Sequence, residues 1–302
     1  MNKIIFKIIR YSGLPLIFRE IIQKDKVTII LFHDLSPTDA DKVFSYLSNK
    51  YNIISLKDFV DSIHHIKNFK IPPKALILTF DDGHKGNYEL LPILKKYNLP
   101  ATIFLCAGIV GTNRHYWFKH ASLKFNVESL KNKSNTYRLS VLREIGFEQT
   151  KEYPKRQALS YEEIEEMKNF VDFQSHTLFH PSLPHCNNKE AWSEINESKK
   201  LLERKLNKKI YAIAYPFGEY SARDIELCKK AGYMCGVTVD FGFNTIWTDP
   251  FRLKRLSLRD TGDINEISVK ASGVWAFLKK YLLENFINKI RGEKYENRDI
   301  IS

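Results

Sequence analysis

Two acidic residues and two histidines are the first candidates for chemistry in this sequence. Asp81 and Asp82 are adjacent and follow the apolar run Ala75–Phe80, which predicts a strand buried on both faces. Burying two neighbouring carboxylates is costly unless something compensates their charge, and a metal ion does so. Taken alone, these residues are equally typical of a polar turn that closes a strand.

His176 and His180 are the second group. Histidines four residues apart lie on one face of a helical turn and can bind one metal ion. The metalloprotease form of this pattern has Glu after the first His, where this sequence has Thr177. A third ligand and a general base must therefore come from elsewhere, and Asp81 and Asp82 offer one of each. Two histidines and one carboxylate leave positions open for water and substrate, as in a catalytic site.

The elements that must position these residues alternate between strand-like and helical patterns. This alternation predicts an α/β fold with a parallel sheet and right-handed crossovers. Six or seven strands favour a distorted (β/α) barrel, with an open doubly wound sheet as the alternative. We expect the residues that directly follow strands to meet at one rim. They are His33, Asp81, Asp82, His176, Pro216, Phe217 and Asp240. Residues 111–159, with an aromatic cluster that includes Trp117, predict an irregular insertion over the active face.

Composition and charge limit the classes of protein. The chain has 302 residues, 43% of them hydrophobic and 27% charged, which is typical of a globular protein. We predict one barrel domain over residues 27–260, an N-terminal amphipathic helix in 1–26, and a C-terminal amphipathic helix and tail in 261–302. The net charge of +12 favours an anionic partner, but no nucleic-acid-binding motif is present. The four cysteines lack C-x-x-C spacing, which predicts buried, reduced thiols.

Both ends of the chain mix apolar and basic residues at helical spacing. Residues 1–22 contain neither an uncharged stretch of membrane-spanning length nor a recognisable signal peptide. The N-terminal helix and a second helix in residues 274–290 each fit an anionic membrane surface, or packing onto the protein's own core. The membrane alternative predicts that six apolar side chains stay exposed. They are Ile4, Ile5, Ile8, Phe277, Tyr281 and Phe286.

Three motifs in succession resemble those of the polysaccharide deacetylases, the NodB-homology or carbohydrate esterase family four enzymes. The motifs are Thr79-Phe80-Asp81-Asp82-Gly83, His176-Thr177-x-x-His180-Pro181 and Tyr215-Pro216-Phe217-Gly218. The resemblance extends over about residues 27–258, and the Ala-Tyr-Pro-Phe-Gly form of the third motif is similar to a subgroup that includes exopolysaccharide deacetylases. It implies a distorted (β/α) barrel that hydrolyses an N-acetyl group on an amino sugar.

The resemblance also implies roles for individual residues. By motif position, Asp81 is the general base, while Asp82, His176 and His180 bind a divalent metal ion. Zn²⁺ is the first candidate, with Fe, Co, Ni or Mn as alternatives. The backbone N–H of Phe217 helps to hold the oxyanion. Four further residues are predicted to contact substrate: Tyr215, Pro216, Trp117 and Asp240.

The sequence departs from the family pattern in two places. Many members carry an Arg two residues before the proline of the third motif, where this chain has Ala214. From its position, we predict that Arg255 replaces this Arg as the partner of the catalytic aspartate. No histidine follows His185, so the late Leu-x-His motif that supplies a general acid is missing. We predict His33 as the acid, with His84 and His185 as further candidates and a hydrogen-bonded rim histidine as the simpler role.

The sequence therefore predicts a metal-dependent deacetylase of an N-acetylated sugar in bacterial surface-glycan assembly. We expect it to act in the cytoplasm or on the inner face of the membrane, on a lipid- or nucleotide-linked precursor. Two alternatives remain: a deformylase or other amide hydrolase on a lipid-linked sugar, and a catalytically weak protein that binds glycan or lipid. The missing Arg and late His favour the second alternative, whereas the intact aspartates and histidines argue against it.

Overall fold

A computed structural model of the chain describes residues 3–66 and 69–281. In this part of the chain the strands are β1 (Val27–Phe32), β2 (Asn52–Ile53), β3 (Ala75–Phe80), β4 (Ala101–Leu105), β5 (Val171–Ser175), β6 (Ala212–Ala214), β7 (Cys235–Val237) and β8 (Leu256–Ser257). Seven of them form a curled parallel sheet in the order β7-β6-β5-β4-β3-β1-β8, and β2 pairs with β3. The predicted α/β fold with about seven parallel strands is confirmed.

Helices follow most of the strands. In chain order they are α1 (Lys3–Tyr11), α2 (Leu14–Ile17), α3 (Pro37–Ser48), α4 (Leu56–Ile63), α5 (Leu91–Tyr97), α6 (Trp117–Ala121), α7 (Val127–Lys131), α8 (Asn135–Glu144), α9 (Tyr161–Met167), α10 (Asn188–Leu206), α11 (Ala222–Lys230) and α12 (Ile264–Ala271). Residues 274–281 are also helical. Phe18–Ile22 is a π-helical turn. Short 3-10 turns are Lys85–Leu90, Leu183–His185, Pro216–Gly218 and Pro250–Arg252.

The side chains of the central strand β3 point alternately to the two sides of the sheet. Its side chains alternate between two buried clusters. Ala75 and Ile77 lie inside the curled sheet with residues of β4, β6 and β7. Leu76 and Leu78 belong to the other cluster, between the sheet and the surrounding helices. The alternation continues on the inner side through Thr79 towards Asp81, so the strand directs this carboxylate into the mouth of the barrel.

The segment that ends in β8 joins the two edges of the sheet. Leu253 forms a parallel bridge with Val237 of β7. Leu256 and Ser257 then pair with Ile30 and Leu31 of β1. The sheet is therefore almost a closed barrel, which agrees with the predicted distortion.

The insertion between β4 and β5 covers the rim, as predicted, but it is not irregular. It contains α6, α7 and α8, which pack around a small core of their own. The buried members of this core are Trp117, Ala121, Leu130, Leu142 and Phe147. The apolar residues of the insertion therefore pack against one another in a separate small core.

The two terminal segments contact each other. Phe6 of α1 is buried with Val269 and Val274, and Phe18 and Trp275 pack around them. Among the described residues, no helix combines the length and the apolarity that crossing a bilayer requires. Phe286 and the predicted helix beyond residue 281 lie outside the described residues. The division at residues 26 and 261 stays a prediction.

All four cysteines of the sequence are buried free thiols. This agrees with the expectation of reduced cysteines.

Candidate active site

Asp81 lies at the centre of the rim and is held by Arg255. The guanidinium donates from Nη1 to Asp81 Oδ1 and from Nη2 to Oδ2, both at 2.8 Å. Its remaining donors reach the carbonyl of Thr238 at 2.8 Å and the Thr79 hydroxyl at 3.3 Å. Such a planar, two-bond pairing is the strongest that Arg forms with a carboxylate. Arg255 thus makes the contact that its position in the sequence predicted.

The environment of Asp81 keeps its carboxyl ionised. Burial by itself would raise its pKa, but the charge of Arg255 and the neighbouring His176 outweigh burial, so the pKa lies below its ordinary value. A carboxylate of this kind stabilises the fold above its unfolded pKa, and the contribution is lost as pH falls through the folded pKa.

Replacing Arg255 with Met should therefore weaken the fold most at neutral pH. The variant leaves Asp81 buried without its cation, which typically costs about 3–5 kcal/mol of unfolding free energy. Burial then raises the pKa of Asp81, so the difference from the wild type should shrink towards pH 4. Urea unfolding between pH 4 and pH 8 measures both effects. The double variant Asp81→Asn with Arg255→Met should recover much of the loss, and equal losses at all pH values would contradict the assignment.

The metal-ligand candidates lie next to this pair. Within the described residues, one group of side chains could hold a metal ion, namely Asp82, His176 and His180, whose ligand atoms lie within 4.8 Å of one another. Asp82 Oδ1 is 3.5 Å from His176 Nε2 and 3.4 Å from His180 Nε2. Asp81 Oδ2 is farther, at 3.8 Å from His176 Nε2. The two adjacent aspartates therefore have different surroundings. Asp81 faces the guanidinium of Arg255, whereas Asp82 faces two imidazole rings.

The protonation states suit a metal ion. His176 Nδ1 donates to the carbonyl of Ala214 at 2.8 Å, which leaves Nε2 as the free ligand atom. Burial is the main cause that lowers the pKa of His180 to about 3, so its ring is neutral. The pKa of Asp82 is also lowered: burial opposes this, but His180, His84 and His176 together prevail. Asp82 Oδ1 and His180 Nδ1 are buried without a hydrogen-bond partner among the described residues. A divalent cation fits this set of two imidazole nitrogens and an ionised carboxylate.

The backbone around these ligands is held in an unusual conformation. Four non-glycine residues of the three motifs have positive φ: Asp82 at 72°, Thr177 at 64°, His180 at 59° and Phe217 at 59°. This region is sparsely populated, and such residues cluster at functional sites. The helical turn expected for His176 and His180 is therefore wrong. The two rings meet because left-handed residues reverse the chain after β5.

Two side chains from other elements hold this loop. Glu194 of α10 is buried and accepts hydrogen bonds from the backbone N–H groups of Leu178 and Phe179, at 2.8 and 2.9 Å. Burial raises the pKa of Glu194 to about 7, although these bonds oppose the rise. From the insertion, Trp117 Nε1 donates to the carbonyl of His180 at 2.8 Å. No motif in the sequence indicates this role of Glu194, so it was not predicted.

His84 supports the other oxygen of Asp82. Its Nε2 lies 3.1 Å from Asp82 Oδ2, and Lys119 Nζ approaches its Nδ1 at 3.5 Å. The ring is buried against Tyr116, with ring centroids 4.9 Å apart. His84 was one of the candidates for the general acid, but the structure makes it a partner that orients the Asp82 carboxylate.

A cleft of about 540 Å³ opens above these groups. Asp81, Asp82, His176 and His180 form its floor, and His33 lies on its wall. Its apolar wall and rim consist of Leu31, Phe118, Val127, Phe217 and Val239. The cleft therefore combines charged and imidazole groups with an apolar wall.

Two residues of the third motif do not reach the cleft. The Tyr215 side chain is buried, and its hydroxyl donates to the carbonyl of Phe251 at 3.1 Å. Pro216 is buried as well. The prediction that they contact substrate is wrong, because the turn after β6 exposes Phe217 and Gly218 to the cleft instead.

Trp117 lies away from the cleft, and Asp240 lies beside it. Trp117 is 2% exposed within the insertion, with Arg138 over its ring at 4.4 Å, and its neighbour Phe118 faces the cleft. Asp240 accepts a hydrogen bond from the Tyr220 hydroxyl at 2.6 Å. It lines an adjoining groove that meets the cleft at Gly218. Asp240 is thus beside the cleft, and its contact with substrate stays a prediction.

Comparison with known proteins agrees with this fold and site. A family model described as polysaccharide deacetylase matches residues 70–236, more than half of the chain. The chain belongs to the polysaccharide deacetylase family, whose members are hydrolases of N-acetyl groups.

Individual relatives are distant. YxkH of Bacillus subtilis is 25% identical over 228 residues, 72% of this chain and 66% of that protein. A poly-beta-1,6-N-acetyl-D-glucosamine N-deacetylase of Staphylococcus aureus is 24% identical over 224 residues, 70% of this chain and 63% of that protein. The chain thus spans slightly less than two thirds of the length of these relatives. IcaB from Ammonifex degensii has the same fold, with a TM-score of 0.60 at 18% identity over 83% of this chain and 98% of that one.

Proposed function

We propose that this chain is a metal-dependent N-deacetylase of an amino sugar in a surface polysaccharide or in its lipid- or nucleotide-linked precursor. One observation carries the proposal. A single cleft combines a three-residue group suited to a divalent cation with a separate carboxylate that Arg255 keeps ionised. Amide hydrolysis needs both an electrophilic centre and a base beside it.

The choice of an N-acetylated sugar rests on the relatives and the shape of the cleft. The relative from Staphylococcus aureus is named for poly-N-acetylglucosamine. In this chain, apolar side chains such as Phe118 and Phe217 flank the candidate metal group. They fit the methyl of an acetyl group, while the adjoining groove with Asp240 offers polar contacts to neighbouring hydroxyls.

The residues divide the chemistry among them. A divalent ion held by Asp82, His176 and His180 would polarise the amide carbonyl and acidify a water molecule. Asp81 takes the proton of the attacking water, because Arg255 maintains its carboxylate in the charged form. His33, which also lines the cleft, returns a proton to the departing amine. The backbone N–H of Phe217, whose ring centroid lies 4.5 Å from that of His180, remains our candidate donor to the oxyanion.

The test combines metal analysis with product release. The purified chain should contain about one divalent ion, with Zn²⁺ as our first candidate, and should release acetate from oligomers of N-acetylglucosamine or from lipid- or nucleotide-linked N-acetyl sugars. A chelator should remove the activity, and re-addition of the metal should restore it. If the chain releases formate from N-formyl sugars but no acetate from N-acetyl sugars, the proposed activity becomes deformylation instead of deacetylation. Full metal content with binding but no hydrolysis of any substrate would contradict an enzymatic function.

His33 can be tested as the acid by changing the leaving group. His33→Gln should lower turnover of an N-acetyl sugar about 10²-fold or more, because the amine cannot leave unprotonated. Hydrolysis of 4-nitrophenyl acetate should change little, since nitrophenolate leaves without a proton. The control is His64→Gln, because His64 is exposed at the end of α4 and lines neither the cleft nor the adjoining groove. Equal losses on both substrates would show that His33 only maintains the rim.

A further inference from the structure

The terminal segments form a surface with many exposed apolar side chains. Ile8 is 65% exposed, Ile21 68% and Phe277 51%, and their neighbours behave in the same way. The other exposed large apolar residues of these segments are Ile4, Ile5, Tyr11, Leu14, Leu16, Ile17, Ile22 and Tyr281. The predicted exposure is thus observed for every named residue within the described part of the chain. We call residues 3–22 and 274–281 together the terminal face.

Aromatic contacts join the two parts of the terminal face. The rings of Phe6 and Trp275 have centroids 5.1 Å apart, and those of Phe18 and Phe277 lie 5.4 Å apart. Arg10 fastens α1 to α12 through a 3.1 Å hydrogen bond to Asn265. These segments therefore already have a packed inner side. The exposed apolar residues are an additional, outer side, and they exceed the scattered single hydrophobics that are normal on a protein surface.

The charge of the terminal face has one sign over most of its length. Residues 3–18 contain Lys3, Lys7 and Arg10 and no acidic residue. Arg19 is buried and pairs with Glu20, so this pair adds no net charge. Residues 274–281 contain Lys279 and Lys280, again without an acidic residue. An apolar surface bordered by cations is complementary to a bilayer that contains anionic lipid. A second copy of the chain would bring these cations against each other, which like charges oppose.

We propose that the terminal face docks on an anionic membrane surface. Its apolar side chains enter the boundary between headgroups and acyl chains, and its lysines contact lipid phosphates. The terminal face lies close to the active cleft, so docking would also position the cleft. A groove lined by Trp275 and Lys279 of the terminal face reaches Val239 and Ser257, which also line the active cleft. Docking would therefore bring the cleft beside the bilayer and any glycan carried on it.

Co-sedimentation with vesicles tests this proposal without reference to enzyme activity. The full chain should bind vesicles of phosphatidylcholine with 30% phosphatidylglycerol and should bind pure phosphatidylcholine vesicles far less. High salt should release part of the bound protein, because screening removes the electrostatic contribution but leaves the apolar one.

Two variants separate the apolar and charged contributions. Lys3→Gln with Lys7→Gln should weaken partitioning to the anionic vesicles about 25-fold, about fivefold for each lysine. Ile8→Ser with Ile21→Ser should remove the binding that survives high salt. Leu123→Ser is the matched control, because Leu123 is 79% exposed but lies in the insertion. All variants should keep wild-type unfolding curves, since the substituted side chains are exposed.

Three outcomes would overturn the proposal. The first is that the full chain fails to bind anionic vesicles. The second is that binding is unchanged in both pairs of variants. The third is a stable dimer in light scattering that Ile8→Ser with Ile21→Ser converts to monomer, combined with no vesicle binding, which would assign the face to a second copy of the chain.

Discussion

His176→Ala should remove the metal ion and with it at least about 10³-fold of the rate of acetate release. The substitution deletes one of three ligand candidates and breaks the hydrogen bond from its ring to the carbonyl of Ala214. Charge stabilisation by a metal ion is worth several kcal/mol, and each 1.4 kcal/mol corresponds to about tenfold in rate. Elemental analysis of the dialysed protein, followed by acetate assays at saturating substrate, measures both effects.

The control for this experiment is His64→Ala. This histidine is exposed at the end of α4 and lies outside the three-residue group, the cleft and the adjoining groove. It should retain the metal content and turnover of the wild type. Full metal content in His176→Ala would show that the ion, if any, binds elsewhere.

Asp81→Asn should have nearly as large an effect on turnover while leaving the metal in place. The amide cannot accept the proton of water, so we expect kcat to fall about 10²–10⁴-fold. The metal should remain, since Asp82 and not Asp81 is the carboxylate within reach of both imidazoles. Turnover and elemental analysis of the same preparation test the two halves of this statement.

Asp34→Asn is a suitable control, because Asp34 is an exposed carboxylate near the same rim. It should behave as the wild type in both measurements. Thermal unfolding of Asp81→Asn is needed as well, since the substitution leaves Arg255 facing an uncharged group. A folded Asp81→Asn protein that has lost its metal would mean that the roles of the two aspartates are reversed.

Much of the fold could be predicted because its strands are short apolar runs. β3 spans Ala75–Phe80, which is the apolar run that the sequence predicts as a buried strand. The two-residue strand β2 was missed, because Asn52 and Ile53 pair only along one edge of β3. Such a strand depends on tertiary contacts and leaves no pattern in the sequence.

The identity of the site residues was predictable from the motifs. The backbone conformation that positions their side chains was less predictable. The aspartates and histidines converge as expected, but the reason given for the histidines was wrong. Thr177 is β-branched and normally avoids positive φ, so no local preference indicates its conformation. Glu194, bonded to Leu178 and Phe179, stabilises that turn from a helix far along the chain. The burial of Tyr215 likewise depends on a distant part of the chain, since its hydroxyl bonds to the carbonyl of Phe251, and its place in the motif does not indicate it.

The pairing of β8 with β1 has a consequence for how the protein is made. Asp81 and Arg255 are 174 positions apart, and β1 cannot acquire its second neighbour until residue 257 has been synthesised. Pairings between such distant segments form slowly, and unpaired strand edges are prone to aggregation. A nascent chain that stops before Leu253 would carry all three metal-ligand candidates but not the cation that keeps Asp81 charged. During synthesis, the capacity to bind metal should therefore arise before the capacity to hydrolyse an amide.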